Sequence, residues 1–224
     1  MIPAGGQGTR LGGEPKQFRQ LGGAPLLLQT ARAFERHKEI KFIVVAVPIP
    51  YLQRTRAFLG TLKKLQDVVR GGGTRRISVS NALKRVPADA DLVLVHDAAR
   101  PFVDKHLITE VVRGATLHGA AAAAIPVADT LRYGDGDRLS HTVPRDGLYA
   151  MQTPQGFRKE ILDEAYASPA LEKVVATDDA ELVCQMGQAV HIVPGRPNNI
   201  KIATSEDWDW AVHTWQVFES SKER

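Results

Sequence analysis

The sequence holds a single cysteine, Cys184, in 224 residues. That excludes an intramolecular disulfide and a cysteine-rich zinc site, and it suits a reducing compartment. Aromatic residues make up only 6% of the chain, too few for a base-stacking platform. Charge of neither sign is concentrated. Lys and Arg number 29 against 25 Asp and Glu, a net charge of +4, with only local basic pairs at Lys63-Lys64 and Arg75-Arg76. A nucleic-acid groove, which needs a basic stripe with interleaved aromatics, is therefore not expected. A few cations converging on a small anionic ligand fit better. No apolar run approaches the ~20 residues that span a bilayer. Gly5 falls where the apolar segment of a signal peptide would lie. A cytoplasmic protein is expected, with neither membrane nor nucleic acid as a partner.

What is present is ordinary for a globular chain: 43% hydrophobic and 24% charged residues. A chain of this length buries roughly 70% of the surface it exposes when unfolded. One domain over residues 1–224 is expected. Short apolar, β-branched runs alternate with helical periodicity. Phe42–Val47, Leu92–Val95 and Ala120–Val127 suit strands covered on both faces. Between them, Leu26, Leu27, Thr30, Ala31, Phe34 and His37 recur at helical spacing, Ile77, Asn81, Leu83 and Lys84 less cleanly, and Leu107, Ile108, Val111, Val112 and Ala115 cleanly, with Asp104 as N-cap. This alternation predicts an α/β three-layer sandwich: a Rossmann-like, mostly parallel sheet flanked by helices, with right-handed crossovers.

The pattern breaks at residues 129–147, where Tyr133-Gly134-Asp135-Gly136-Asp137 forms a turn-rich cluster between extended segments. This predicts a protruding β-hairpin arm. A lone hairpin is marginal in water, so a second subunit is the natural surface for it to pack on. Further on, Arg158–Ala167 suits a helix, Thr177 a helix cap with Asp178 and Asp179 in the first turn, and Val190–Val193 and Ile200–Ala203 two strands. Thr204 opens a last helix with Trp208, Val212, Trp215 and Phe218 near a packing face, and the tail from Ser220 is expected to fray. Cys184 lies in an apolar-periodic stretch and is expected to be a buried structural thiol.

The N-terminus carries the clearest chemistry. Ile2-Pro3-Ala4-Gly5-Gly6-Gln7-Gly8-Thr9-Arg10 runs from a strand end into a glycine-rich turn. Such a turn lets backbone N–H groups approach an anion. At the carboxyl edge of an open α/β sheet it suits a phosphate or nucleotide loop. Arg10 and Lys16 add two cations. A purely structural turn is the alternative; the Rossmann pattern lacks its third glycine, and the Walker Gly-Lys-Ser/Thr is absent. A second site follows the strand Leu92–Val95, at His96-Asp97-Ala98-Ala99-Arg100-Pro101. Asp97 there suits a helix cap, a turn former or a ligand of Mg²⁺, which is held by one or two carboxylates plus substrate phosphates. His96 suits a structural role.

The stretch Pro3-Ala4-Gly5-Gly6-x-Gly8-Thr9-Arg10 with Pro15-Lys16 resembles the sugar nucleotidyltransferase signature. With Gly71-Gly72-Gly73-Thr74-Arg75-Arg76-Ile77-Ser78-Val79, Val95 to Pro101, Gln152-Thr153-Pro154-Gln155-Gly156-Phe157, Thr177-Asp178-Asp179-Ala180 and Asn199-Ile200-Lys201-Ile202 in order, the chain resembles the 2-C-methyl-D-erythritol 4-phosphate cytidylyltransferase family over nearly its whole length. The resemblance implies transfer of CMP from CTP to a polyol phosphate, with Mg²⁺, in non-mevalonate isoprenoid synthesis. It implies catalytic roles for Arg10, Lys16, Arg145 and Lys201. Pro3, Ala4, Gly5, Gly6, Gly8, Gly72, Arg75 and Ser78 would bind the nucleotide, the last three along cytosine and ribose. Asp97, Arg100, Thr130, Thr153 and Thr177 would face the second substrate, Asp97 also binding the metal. Arg145 would cross to a neighbouring subunit's site, making a homodimer necessary for turnover. Two departures stand out. Met1-Ile2 leaves little of the family's first strand, and Ala4-Gly5-Gly6 replaces the usual Ala-Ala-Gly. The latter variant resembles the ribitol 5-phosphate cytidylyltransferases, which remain an alternative, as does a non-catalytic nucleotide-binding protein.

Overall fold

A computed structural model describes residues 1–6, 14–171, 174 and 176–222. Two ladders form the centre of the molecule. In the first, β1 (Ile2–Pro3), β4 (Ile43–Val47) and β5 (Leu65–Arg70) lie in the order β1-β4-β5, all parallel. In the second, β6 (Leu92–Val95), β7 (Ala120–Pro126), β10 (Tyr149–Arg158) and β11 (His191–Pro194) lie in the order β11-β7-β10-β6. There β10 runs antiparallel to both neighbours and β11 parallel to β7. Met1 joins the ladders: its amino group donates to the Leu94 carbonyl at 2.6 Å, and its carbonyl accepts from the His96 N–H at 3.0 Å. One residue bonded to both 94 and 96 is a parallel pairing. The result is a continuous mixed sheet, β5-β4-β1-β6-β10-β7-β11. Beyond Met1, a groove of about 560 Å³ continues between β4 and β6, lined by Ile43, Val44, Leu92, Val93 and Leu94 among others.

Side-chain alternation divides the core into two layers. Ile43, Val45 and Val47 of β4, Leu94 of β6, and Ala121 and Ala123 of β7 pack with α1 (Leu26–Glu35), α2 (Leu52–Leu59) and α4 (Lys105–His118). Val93, Val95 and Ala120 on the opposite face pack with α3 (Arg75–Leu83), α5 (Lys159–Ala167) and α6 (Asp179–Gln185), while Val44 and Ala46 meet Ala82 of α3. Burial on both faces is why these strands are continuous apolar runs. The alanines of β7 have a specific reason: a Cβ placed on Gly114 of α4 would stand 2.8 Å from the Ala121 Cβ, so helix and sheet are already in close approach. Asp104 caps α4 by accepting from the Leu107 N–H at 2.7 Å, and Thr74 caps α3 by accepting from Ile77 at 3.2 Å. The hairpins β2 (Gln20–Leu21)–β3 (Ala24–Pro25) and β8 (Leu131–Asp135)–β9 (Arg138–Val143) lie outside the main sheet.

The three-layer reading stands, and several local expectations change. Ile200–Ala203 is not a strand; Ile202 donates a backbone bond to the Ala99 carbonyl, but its own carbonyl accepts from the Lys16 ammonium instead of a strand. The cap of α6 is Asp178, not Thr177, because the Asp178 carboxylate accepts from the Glu181 N–H at 2.9 Å. Thr177 instead donates through its N–H and hydroxyl to the returning Glu181 carboxylate. Cys184 is exposed: α6 buries Ala180, Leu182 and Val183, and the next residue turns outward. On α7 (Ser205–Lys222) the packing face is Ala211, Trp215 and Phe218 around Phe102, with Trp208 at its edge, whereas Val212 faces outward. The helix persists through Lys222; Glu223 and Arg224, the rest of the tail expected to fray, lie outside the described residues.

Candidate active site

Leaving β1, the chain moves outward through β4 and β5, then returns to place β6 on the other side of β1. Strand order reverses between β1 and β6, and ligands of open α/β sheets bind outside the carboxyl ends of strands at such a point. Three chain segments meet there: Ala4–Gly6 after β1, Gly71–Arg75 after β5, and His96–Arg100 after β6.

Gln17 holds the first segment, its side-chain amide donating to the Ala4 and Gly6 carbonyls, both at 2.9 Å. The second is tied by Ser78, whose hydroxyl donates to the Thr74 carbonyl at 3.0 Å and accepts from the Gly72 N–H at 3.0 Å. A Cβ on Gly5 would stand 2.8 Å from the Ser78 Oγ, and one on Gly72 would stand 2.0 Å from the Ile77 side chain. Glycine at these positions thus keeps both backbones close to the cleft. The third segment is fixed by a buried relay. The Asp97 N–H donates to Thr153 Oγ1 at 3.0 Å, Thr153 donates to His96 Nδ1 at 3.0 Å, and His96 Nε2 donates to the Arg100 carbonyl at 3.0 Å. This arrangement requires a neutral imidazole protonated at Nε2. Burial, the largest influence, holds the His96 pKa down to about 4. His96 is a structural element of the site.

Asp97 faces three cations. Lys201 Nζ lies 2.8 Å from one carboxylate oxygen, Arg100 Nε 3.6 Å from the same oxygen, and Arg75 Nε 3.8 Å from the other. Burial would raise this carboxyl, but Lys201, then Arg75 and Arg100, outweigh it and hold it down at about 2. Arg100 is further fixed by the carbonyls of Asn199 at 2.7 Å and Met151 at 3.2 Å. Lys16 donates to the Ile202 carbonyl at 2.6 Å.

Two cavities open onto this cluster. The larger, about 640 Å³, is lined by Pro3, Ala4, Gly5, Gly6, Lys16, Gly72, Arg75, Ser78, Asp97 and Lys201 among others. The smaller, about 300 Å³, is lined by Arg75, Asp97, Arg100, Thr153, Thr177 and Lys201, together with Gln152, Gln155 and Asp178. Both share Arg75, Asp97 and Lys201. Arg75 therefore stands where the cavities meet.

Not every expected residue comes together. Thr130 and Arg145 are exposed and line neither cavity; Arg145 donates instead to the Ala128 carbonyl at the base of the arm. Gly8 and Arg10 lie outside the described residues. Conversely, sequence reasoning gave no site role to Gln17, Asn199 or Asp179. Asn199 donates to the Thr153 carbonyl at 2.8 Å and so couples Lys201's loop to β10. For two of them a signal lay in adjacency: Gln17 follows Lys16, and Asn199 precedes Lys201 by two.

Among the described residues, no group of three or more His, Cys, Asp or Glu could hold a metal alone. A divalent cation here would need substrate phosphates to complete its shell. Asp97, ionised and bordering both cavities, fits that arrangement.

Comparison with known proteins agrees with this geometry. The family model for IspD, 2-C-methyl-D-erythritol 4-phosphate cytidylyltransferase, matches residues 1–215. The enzyme of that name from Salinibacter ruber is 48% identical over 226 residues, covering 100% of this chain and 95% of that one. The crystal structure of the Thermus thermophilus enzyme is 35% identical with a TM-score of 0.79, covering 96% of this chain and 97% of that one. That of the 4-diphosphocytidyl-2C-methyl-D-erythritol synthase from Anaerococcus prevotii is 29% identical with a TM-score of 0.82, covering 96% of each. The chain belongs to the 2-C-methyl-D-erythritol 4-phosphate cytidylyltransferase family.

Proposed function

We propose that this protein joins CTP to 2-C-methyl-D-erythritol 4-phosphate, giving 4-diphosphocytidyl-2-C-methyl-D-erythritol and pyrophosphate for isoprenoid synthesis. The observation that carries this reading is the meeting of two cavities, of about 640 and 300 Å³, at Arg75, Asp97 and Lys201. CTP occupies the larger and the polyol phosphate the smaller, so the phosphates meet at the shared residues.

The nucleophile is an oxygen of the polyol phosphate. Its second pKa lies near 6, so it is mostly a dianion at neutral pH and needs no general base. It attacks the α-phosphorus of CTP; a new P–O bond forms, the bond to the bridging oxygen breaks, and pyrophosphate leaves with that electron pair. The chain's task is to bring two polyanions together and to stabilise the charge that develops. The Ala4–Gly6 and Gly71–Gly73 backbones cradle the nucleotide. Lys16, with Arg10, neutralises the triphosphate. Lys201 positions the attacking phosphate, and Arg100, Thr153 and Thr177 hold the polyol side. Asp97 is the residue that would hold Mg²⁺. When bound, Mg²⁺ supplies charge neutralisation at the phosphates.

The arm makes the enzyme a homodimer. Its exposed Leu131, Tyr133 and Leu139 support this, because an apolar hairpin without packing is unstable in water. Arg145 and Thr130 then act at the partner's site. A cytoplasmic location accords with the single cysteine and with the absence, among the described residues, of a helix long and apolar enough to cross a membrane.

The test is pyrophosphate release from CTP and Mg²⁺ with 2-C-methyl-D-erythritol 4-phosphate and with ribitol 5-phosphate. Turnover with the first is expected. Turnover with ribitol 5-phosphate alone would move the enzyme to the other polyol, and CTP binding without release from either would make it a non-catalytic binder.

A further inference from the structure

Asp179 has no part in the chemistry above, yet it is fully buried. A buried carboxylate costs several kcal/mol of desolvation and persists only with compensation. It is not needed as a helix cap, since Asp178 fills that role. Its surroundings are built instead to aim it. Gln155 of β10 donates to Asp178 Oδ2 at 2.8 Å and accepts the N–H groups of Asp179 and Ala180 at 3.1 and 3.0 Å, which pins the start of α6 to the sheet. Tyr166 of α5 donates to Asp179 Oδ1 at 2.6 Å. Burial, then Asp179, pushes the Tyr166 hydroxyl pKa up, so it remains a donor. The other carboxylate oxygen lies 2.6 Å from Arg75 Nη2, an ion pair made without an aligned hydrogen bond.

Arg75 is equally unexplained by local structure. It is the first residue of α3, where the helix dipole disfavours a cation. Its stem is held at one end by the helix and its guanidinium by Asp179. The cations around Asp97 thus differ in kind. Arg75 is tied to Asp179, and Arg100 to two carbonyls. For the half-exposed Lys201 ammonium, Asp97 is the partner seen among the described residues. Substrate phosphate can draw Lys201 away from Asp97 while both arginines stay.

We infer that Asp179, buttressed by Tyr166 and Gln155, is a positioning residue that clamps Arg75 where the two cavities meet. The clamp holds Arg75 off Asp97, at 3.8 Å, and keeps its charge facing the phosphates before they arrive. Without it, Arg75 falls onto the nearest carboxylate, Asp97, and that charge is lost to the reaction. The role of the clamp in turnover rests on the cytidylyltransferase reading; the clamp itself does not.

Two readouts separate these. In the free enzyme, nitrogen NMR of the Arg75 guanidinium reports its rotation. Slow rotation is expected in wild type, and fast rotation in Asp179→Asn and in the milder Tyr166→Phe, with melting temperatures showing both folded. Equally fast rotation in wild type would overturn the clamp whatever the reaction. For turnover, misplacing a group by an ångström costs up to about 10²-fold. Asp179→Asn is expected to lower kcat roughly tenfold or more, with KM for CTP changed less than about threefold. Added to Arg75→Ala, it should cost nothing further. Methylguanidinium should restore part of the Arg75→Ala rate and none of the double variant's. Additive losses, or rescue in both backgrounds, would overturn the positioning role while wild-type turnover left the reaction itself intact.

Discussion

The cleft and the arm use polar and apolar groups in opposite ways. In the cleft, charged and polar side chains are buried and mutually held: Asp97 by three cations, Thr153 between Asp97 and His96, Arg100 by two carbonyls. The arm leaves apolar groups outside, with Leu139 77% and Tyr133 58% exposed. Its ladder slips register between Arg132 and Gly134, and the turn is made by Gly136 at a φ of +60°. Among the described residues, the buried charges of the cleft are matched within one chain: Asp97 by three cations and Asp179 by Arg75. The arm's apolar side chains have no such match, and the homodimer proposed above would cover them. Under the composite site proposed for Arg145, turnover would need both regions.

Substitutions at the two regions should separate fold, assembly and chemistry. The largest effect is expected at the cleft. Lys201→Ala removes the cation proposed above to position the attacking phosphate, and kcat should fall by about 10²–10³-fold. Its melting temperature should change by only a few degrees, since the ammonium is half-exposed. A loss confined to KM would mean that Lys201 only binds. An intermediate effect is expected at the arm. Leu139→Asp places a charge in the proposed interface, where an anchor is typically worth about 2 kcal/mol, or roughly a 30-fold weaker dimer. Sedimentation should show monomer at concentrations where wild type is dimeric, with turnover lost in parallel and regained on raising concentration. Mixing Arg145→Ala with Lys201→Ala chains sharpens the comparison, because half of the composite sites in a heterodimer carry both wild-type groups. Activity should reappear on mixing, and verified heterodimers without activity would return Arg145 to its own chain.

Legibility in the sequence followed the same division. Strands buried on both faces announce themselves: β6 occupies the expected Leu92–Val95 and β4 begins one residue later than expected. The edge strand β5, with Gln66 and Asp67 among its residues, and β10, with Pro154 and Gly156, carry no such run and went unread. The glycine loop, Lys16 and Asp97 were legible because short spacing and residue type carry their chemistry, whereas Lys201 entered only through the family resemblance. Asp179 was not, because its meaning depends on Arg75, 104 positions away in sequence and 2.6 Å away in space. Cys184 misled for a related reason. Apolar periodicity gives the mean direction of a face, but a seven-residue helix spends few residues on it.

A pH dependence tests whether the cleft's buried network is as self-contained as it looks. His96 titrates at about 4 in the fold against 6.5 unfolded, because burial disfavours the imidazolium. Its folded pKa is depressed, so the unfolded chain binds the extra proton first as pH falls. The stability it contributes is complete above pH 6.5 and is lost as pH falls toward 4, by roughly 3 kcal/mol at most. Asp97, lowered to about 2 from 3.8, loses its share only below that window. His37 and the Met1 amine are also lowered by burial and add their own slopes. Those cancel when wild type is compared with His96→Asn. Between pH 6.5 and 4.5 the variant, less stable at neutral pH, should show the shallower dependence in urea melts. Equal slopes would mean that the relay opens to solvent and lets His96 charge in place. The Asp97 backbone would then be held by something other than Thr153.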